Sequence, residues 1–202
     1  MNGLRSPLEQ VSAGQVWNGV GGGTGVWFQE LPFRVHLNLR GAATARYAEV
    51  LAQISGAVLP LEPNTVSCGR RCLVHWLGPD EWLLIATPAE TRLQAELEAA
   101  LAGSHYALTD LSGGQTLLRG GGPKLREVLA SACTLDLHPR RFGPGQCAQT
   151  LVAHVGALLR VAAEVEGADV IDIVVRRSFA DHLLRWLLDA SAEVGCALRE
   201  PA

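Results

Sequence analysis

Lysine is almost missing from this chain: Lys124 is the one lysine among 17 basic residues, and the rest are arginine. A Schiff-base or lysine–phosphate mechanism therefore has a single candidate. Charge of either sign is thin, at 18% of 202 residues with a formal net value of −3. With no run of five like charges either, the chain has no general attraction to nucleic acid or to an anionic membrane surface. Long apolar runs are absent as well. The nearest to the roughly 18 residues that a spanning helix needs is Leu151 to Val165, which His154 and Arg160 interrupt. The first fifteen residues lack the apolar core that follows a basic start in a secretory signal. Cys68, Cys72, Cys133, Cys147 and Cys196 are an odd and scattered set, unlike a secreted disulfide scaffold. A cytoplasmic chain with reduced thiols is the expectation.

What is present is an ordinary apolar share, 48%, with five tryptophans. The length suits one large domain or two small subdomains and can bury a substantial core. Low charge combined with tryptophan fits a subunit that covers much of its surface with partners; a compact monomer fits too.

Residues 1–30 carry little pattern and culminate in the glycine-rich stretch Gly19 to Gly25, which reads as a flexible arm leading into Val26-Trp27-Phe28. From Arg34 to Arg40 the apolar positions alternate, placing Val35, Leu37 and Leu39 on one strand face. Thr44 to Ile54 has helical spacing at Tyr47, Val50, Leu51 and Ile54. Strands over Cys72–Leu77 and Trp82–Ala86 are joined by Gly78-Pro79-Asp80-Glu81, a strong turn signal. A helix is predicted from Pro88, capped by Thr87, and a strand from His105 to Leu111. This β-α-β-β-α-β order is the split βαβ of ferredoxin-like domains. The order then restarts: a strand at Gln115–Arg119, a helix after Pro123, strands at Thr150–Val155, Ala157–Ala162 and Val170–Val175, and a helix with Phe179, Leu183, Trp186 and Leu187. The predicted class is α+β, with a flexible arm at 1–30, one half at 31–112, a second at 113–195 and a tail at 196–202.

Motifs for chemistry are few. In the glycine-rich stretch the third glycine of G-x-G-x-x-G falls on Thr24, Val26 or Phe28, so the dinucleotide fingerprint fails. Gly120-Gly121-Gly122-Pro123-Lys124 fails as a phosphate loop because proline stands before the lysine; proline in the first helical turn explains it. Cys68, Cys72 and His75 have superficially metal-like spacing, but no second pair follows, and strand geometry sends Cys72 and His75 to opposite faces. The reading for these is a buried thiol and a half-exposed histidine. There is no G-x-S-x-G elbow, and Ser112-Gly113-Gly114 lies between strands. Asp136-Leu137-His138-Pro139-Arg140-Arg141 is the most concentrated polar stretch, able to hold an anion through its arginines or to face solvent or a partner. Trp76, Trp82 and Trp186 are open to two readings, core packing and interface anchoring.

The blocks Trp76–Leu84, Asp136–Phe142, Cys147–Leu151, Arg177–His182 and Trp186–Ala190 resemble, in order, the gamma-subunit family of heterotetrameric sarcosine oxidases. The stretch from Thr109-Asp110-Leu111-Ser112 through Gly143-Pro144-Gly145 is also similar to the folate-binding domain of aminomethyltransferases. The resemblance implies two ferredoxin-like βαββαβ-type halves forming an aminomethyltransferase folate-domain-like unit. It does not carry over that family's chemistry. Where its paired aspartates would stand, this chain reads Gly156-Ala157-Leu158-Leu159-Arg160, and Asp110 and Asp172 lie elsewhere. The implied assembly oxidatively demethylates sarcosine to glycine, forms peroxide and passes the one-carbon unit to tetrahydrofolate. Its FAD, FMN, NAD, tetrahydrofolate and zinc are expected on the alpha, beta and delta partner subunits, with none on this chain and alpha as the main contact. Neither nucleic acid nor membrane is an expected partner. Two alternatives are a stand-alone folate-binding or aminomethyl-transfer protein, and the same subunit in a related N-methyl or secondary amino acid oxidase or dehydrogenase. The expected interface residues are Trp76, Trp82, His138, Arg140, Phe142 and Trp186.

Overall fold

The computed structural model describes residues 5–11, 13–165 and 167–202. Strands β1 (Val16–Asn18), β2 (Val26–Leu31) and β3 (Val35–Gly41) precede helix α1 (Ala45–Ser55). Then come β4 (Val66–Cys68), β5 (Cys72–Gly78), β6 (Glu81–Ala86), α2 (Leu93–Leu101) and β7 (Tyr106–Asp110). The rest is β8 (Gln115–Gly121), α3 (Leu125–Ala130), β9 (Cys147–Val152), β10 (Val155–Val165), β11 (Ala168–Arg176), α4 (Ala180–Ala190) and β12 (Gly195–Arg199), with a 3-10 turn at Arg177–Phe179 before α4. Two compact units result: one from Met1–Pro32, Gly114–Pro144 and Gln149–Ala202, the other from Phe33–Gly113 and Gly145–Ala148.

The second of these is a five-stranded sheet in the order β4-β5-β6-β3-β7. Leaving out β4, the order is that of a ferredoxin-like split βαβ, with all pairs antiparallel. Period-two alternation sends Leu37, Leu39, Val74, Trp82 and Leu84 into one core with Tyr47, Leu51, Leu93, Leu97 and Leu101 of α1 and α2. Helix α2 begins at Leu93 rather than near Pro88. Residues 87–92 form turns, with Glu90 N bonded to Thr87 O and Leu93 N to Glu90 O. Short β4 carries no apolar alternation and was invisible in the pattern.

The other unit is a seven-stranded sheet, β1-β12-β2-β8-β11-β10-β9. Here the sequence expectation for both chain ends is corrected. The described part of residues 1–30 is not an arm, because β2 is wedged between β12 (parallel) and β8 (antiparallel), burying Val26 and Phe28; residues 1–4 and 12 lie outside the described residues. Residues 196–202 are not a tail, because most of β12 lies there. The glycine-rich stretch serves this packing. A Cβ on Gly19 would sit 2.5 Å from the Glu193 carbonyl oxygen, and one on Gly195, at φ 79°, 2.3 Å from that of Gly23. Backbone meets backbone there, which only glycine permits.

The β9–β10 connection is a second correction. The strand expected over Thr150–Val155 turns back at Ala153 and His154, both in the left-handed region at φ 50° and 66°. A two-residue hairpin of this kind normally announces itself by Asn-Gly, and here it does not. Ala153 N donates to Ala132 O at 3.0 Å, which helps to hold the turn.

Candidate functional site

Register places one polar row across the seven-stranded sheet. Arg199 of β12 stands opposite Gln29 of β2, Gln29 opposite Arg119 of β8, Arg119 opposite Asp172 of β11, and Asp172 opposite Arg160 of β10. Directly paired residues share a face, so all five project together. The adjacent row, Leu198, Phe28, Gly120, Ile171 and Val161, takes the opposite face. There Leu125 of α3 and the Phe28 ring fill the space a side chain on Gly120 would need.

The centre of the polar row is an ion cluster. Arg119 donates to both Asp172 oxygens, Nε to Oδ1 at 2.7 Å and Nη2 to Oδ2 at 3.1 Å, and Arg160 donates Nη2 to Oδ2. Asp172 is 2% exposed and Arg160 7%. Burial pushes the Asp172 carboxyl up, but the hydrogen bonds and charges of the two guanidiniums outweigh it and hold the group below the ordinary carboxylate range. It is an ion-pair centre, not a poised base. Sequence reading kept Asp172 as a spare carboxylate and missed its partners, 53 and 12 residues away. The available signal was a charge set among apolar neighbours in each of three strands: Arg119 after Leu117-Leu118, Arg160 between Leu159 and Val161, and Asp172 between Ile171 and Ile173. Beside the cluster Arg199 stacks 3.7 Å above the Trp27 ring, which lies across Gly121.

In the five-stranded unit, Cys68, Cys72 and His75 do not converge. Cys72 lies in the helix-side core, and burial pushes its thiol up to about 11. Cys68 is exposed on β4, and His75 is buried, not half-exposed, with Nδ1 3.1 Å from Leu83 O. Among the described residues no group of three or more His, Cys, Asp or Glu is placed to hold a metal ion. Asp110 accepts from the Ser112 amide and hydroxyl and so closes a turn.

His36 of β3 is fully buried, with Nδ1 3.0 Å from Arg34 O and Nε2 lacking a hydrogen-bond partner among the described residues. Burial lowers its pKa to about 4, against a smaller upward pull from the Arg34 carbonyl and Asp110. Between the ordinary value of 6.5 and about 4 the unfolded chain binds a proton that the folded chain refuses. Stability is therefore full above that window and falls as pH drops through it, by roughly 3 kcal/mol over the whole span. Urea midpoints at neutral and mildly acidic pH should show this loss, and His36→Phe should flatten it. Equal pH slopes in the two proteins would refute the assignment.

The six expected interface residues fall into three groups. Trp82 is 0% exposed, with its indole Nε1 donating to Pro60 O at 2.8 Å, and Phe142 is 3% exposed. Both are corrected to core residues: a side chain already enclosed by its own chain has no area left for a partner. Trp76 and Trp186 are half-buried, and Trp76 stands opposite Trp82 across β5 and β6. His138 and Arg140 are exposed on the turn that follows Leu137. Exposed apolar residues outside this set include Val16, Trp17 and Val20, in the region read as an arm.

Against known proteins, residues 40–193 match the model of the sarcosine oxidase, gamma subunit family. The gamma subunit of sarcosine oxidase from Corynebacterium sp. (strain P-1) is 35% identical over 94% of this chain and 90% of its own length. The chain belongs to the sarcosine oxidase gamma subunit family. Another gamma-subunit relative, from Arthrobacter sp., is 33% identical over the same shares. Among solved structures, a chain of the heterotetrameric sarcosine oxidase from Corynebacterium sp. U-96, in complex with pyrrole 2-carboxylate, superposes with a TM-score of 0.84. It is 31% identical, and the match covers 96% of this chain and 97% of that one. Aminomethyltransferase T of the glycine cleavage system from Bartonella henselae matches with a TM-score of 0.64, at 18% identity, over 87% of this chain and 48% of that one. The gamma subunit fold is thus the aminomethyltransferase-like α+β fold. In this chain strand β10 contributes Arg160 to the sheet's polar row, and Asp172 is taken up by two arginines.

No helix among the described residues is long and apolar enough to cross a membrane.

Proposed function

We propose that this chain is the gamma subunit of a heterotetrameric sarcosine oxidase and acts there as a structural subunit. The assembly oxidises sarcosine to glycine, reduces oxygen to hydrogen peroxide and passes the one-carbon unit to tetrahydrofolate. FAD, FMN, NAD, tetrahydrofolate and zinc belong to the alpha, beta and delta subunits, with alpha the main contact of this chain, in the cytoplasm. The observation that carries the reading is the near-full-length likeness to a chain of a solved heterotetrameric sarcosine oxidase, in sequence and in fold. The state of the interior polar groups supports a structural role. Asp172 is locked between arginines, His36 is held neutral by burial, and the buried thiols Cys72 and Cys196 are pushed up to about 11. None of these is set up as an acid, base or nucleophile near neutral pH.

Co-expression of the affinity-tagged chain with the neighbouring reading frames tests this. The tag is expected to retain a flavin-containing assembly that forms peroxide when given sarcosine. A stable free monomer that ignores those partners and binds tetrahydrofolate at micromolar concentration would replace this reading with a stand-alone folate-binding protein.

A further inference from the structure

Residues 136–142 form a turn braced by its own hydrogen bonds and by two buried side chains. Asp136 Oδ1 accepts from His138 N at 3.0 Å, and His138 O accepts from the amides of Arg141 and Phe142 at 2.8 and 2.9 Å. His138 Nδ1 accepts from Arg140 N at 3.2 Å, which puts the ring proton on Nε2. Leu137 and Phe142 are buried on either side. Beneath them Arg126 pairs with Asp169 at 2.5 Å and donates to the Leu137 carbonyl. Yet the four residues this framework carries, His138, Pro139, Arg140 and Arg141, are all exposed.

The guanidiniums there are unusual for this chain. It has three Arg-Arg pairs, at 70–71, 140–141 and 176–177. Arg71 is bonded to Glu90 and Glu96, and Arg177 to the Arg5 carbonyl. Only at 140–141 does neither guanidinium find a partner, side chain or backbone, among the described residues. An ordered backbone holding two unused forks and an imidazole N–H loses less freedom on binding than a mobile loop would. Arginine is enriched at subunit contacts, where its fork meets carboxylates bidentately.

We infer that the His138–Arg141 turn docks onto a carboxylate-bearing surface of a larger subunit; this rests on the proposed membership of the tetramer. A projecting run of four exposed residues suits a protein face better than a small anion, which needs a cleft. The formal charge of −3 sets the chain against a nucleic acid.

The test uses the co-expressed assembly with Arg140→Glu/Arg141→Glu, Arg140→Gln/Arg141→Gln and the control Arg70→Glu, scored by retention of this chain over a salt series. The glutamate pair is expected to weaken retention on the order of 100-fold and the glutamine pair on the order of 10-fold, with Arg70→Glu unchanged. Wild-type retention should fall as salt rises. A soluble glutamine pair retained like wild type overturns the inference even if the glutamate pair misfolds. Equal loss in Arg70→Glu overturns it too, as does nucleic acid that elutes with wild type but not with the glutamine pair. If wild type itself retains no larger subunit, the proposed function falls along with this inference. If wild type assembles and the variants match it, only the docking turn is lost.

Discussion

Asp172→Asn is expected to destabilise the seven-stranded unit by about 3–5 kcal/mol, because it removes the one negative charge between two guanidiniums. Arg160, whose Nε already lacks a partner among the described residues, would be left charged and almost fully enclosed. Arg119 suffers less: its side chain is about a third exposed, at 32%, and can turn to water. Paired replacement should separate lost attraction from uncompensated charge. Asp172→Leu with Arg160→Met removes both buried ions together and should cost less than Asp172→Asn alone. Urea midpoints, or hydrogen exchange of the β11 amides in the assembled enzyme, would read the difference. Because the folded pKa lies below the ordinary 3.8, the contribution is fully present above that value and is lost as pH falls beneath it. A single variant no worse than the double one would mean that solvent already screens the cluster.

That cluster also marks where sequence reading stopped. The alternation at Val35, Leu37 and Leu39 and the Gly78-Pro79 turn placed β3, β5 and β6 within a residue or so, since one buried face writes itself into every second position. Helix α4 was legible for the same reason, its buried stripe of Ala180, Leu183, Leu184 and Leu187 recurring with helical period. Strand β2 was not. Its inward residues Val26 and Phe28 follow a run of glycines, and its neighbours β12 and β8 lie far along the chain. A strand inserted by non-local pairing leaves no mark beyond its own short alternation, and two of the glycines that argued for looseness, Gly19 and Gly25, are close contacts with the backbone at 193–195. The Ala153–His154 turn was hidden by chemistry of another kind, because neither residue favours the left-handed conformation it adopts. At the candidate interface, residue type alone could not separate a core tryptophan from an anchoring one, for both roles want a large apolar body with a polar edge.

Trp82 makes that distinction measurable. It is fully enclosed by the five-stranded unit, and its indole N–H reaches the Pro60 carbonyl. Trp82→Ala is therefore expected to cost about 3–5 kcal/mol through lost apolar contact and the void left behind. Trp82→Phe should keep most of the burial and lose roughly 1–2 kcal/mol, chiefly by stranding the Pro60 carbonyl. A core residue and an interface residue predict opposite patterns for these variants. From the core, unfolding shifts while whatever Trp82→Phe protein folds still enters the tetramer with wild-type affinity. From an interface, the midpoint would hold and subunit retention would fall. Loss of retention at an unchanged urea midpoint would return Trp82 to the surface role that its sequence context suggested. Half-buried Trp76, opposite it across the hairpin, is the natural comparison. Its truncation should cost less stability, because part of its ring is already in water and leaves a smaller cavity.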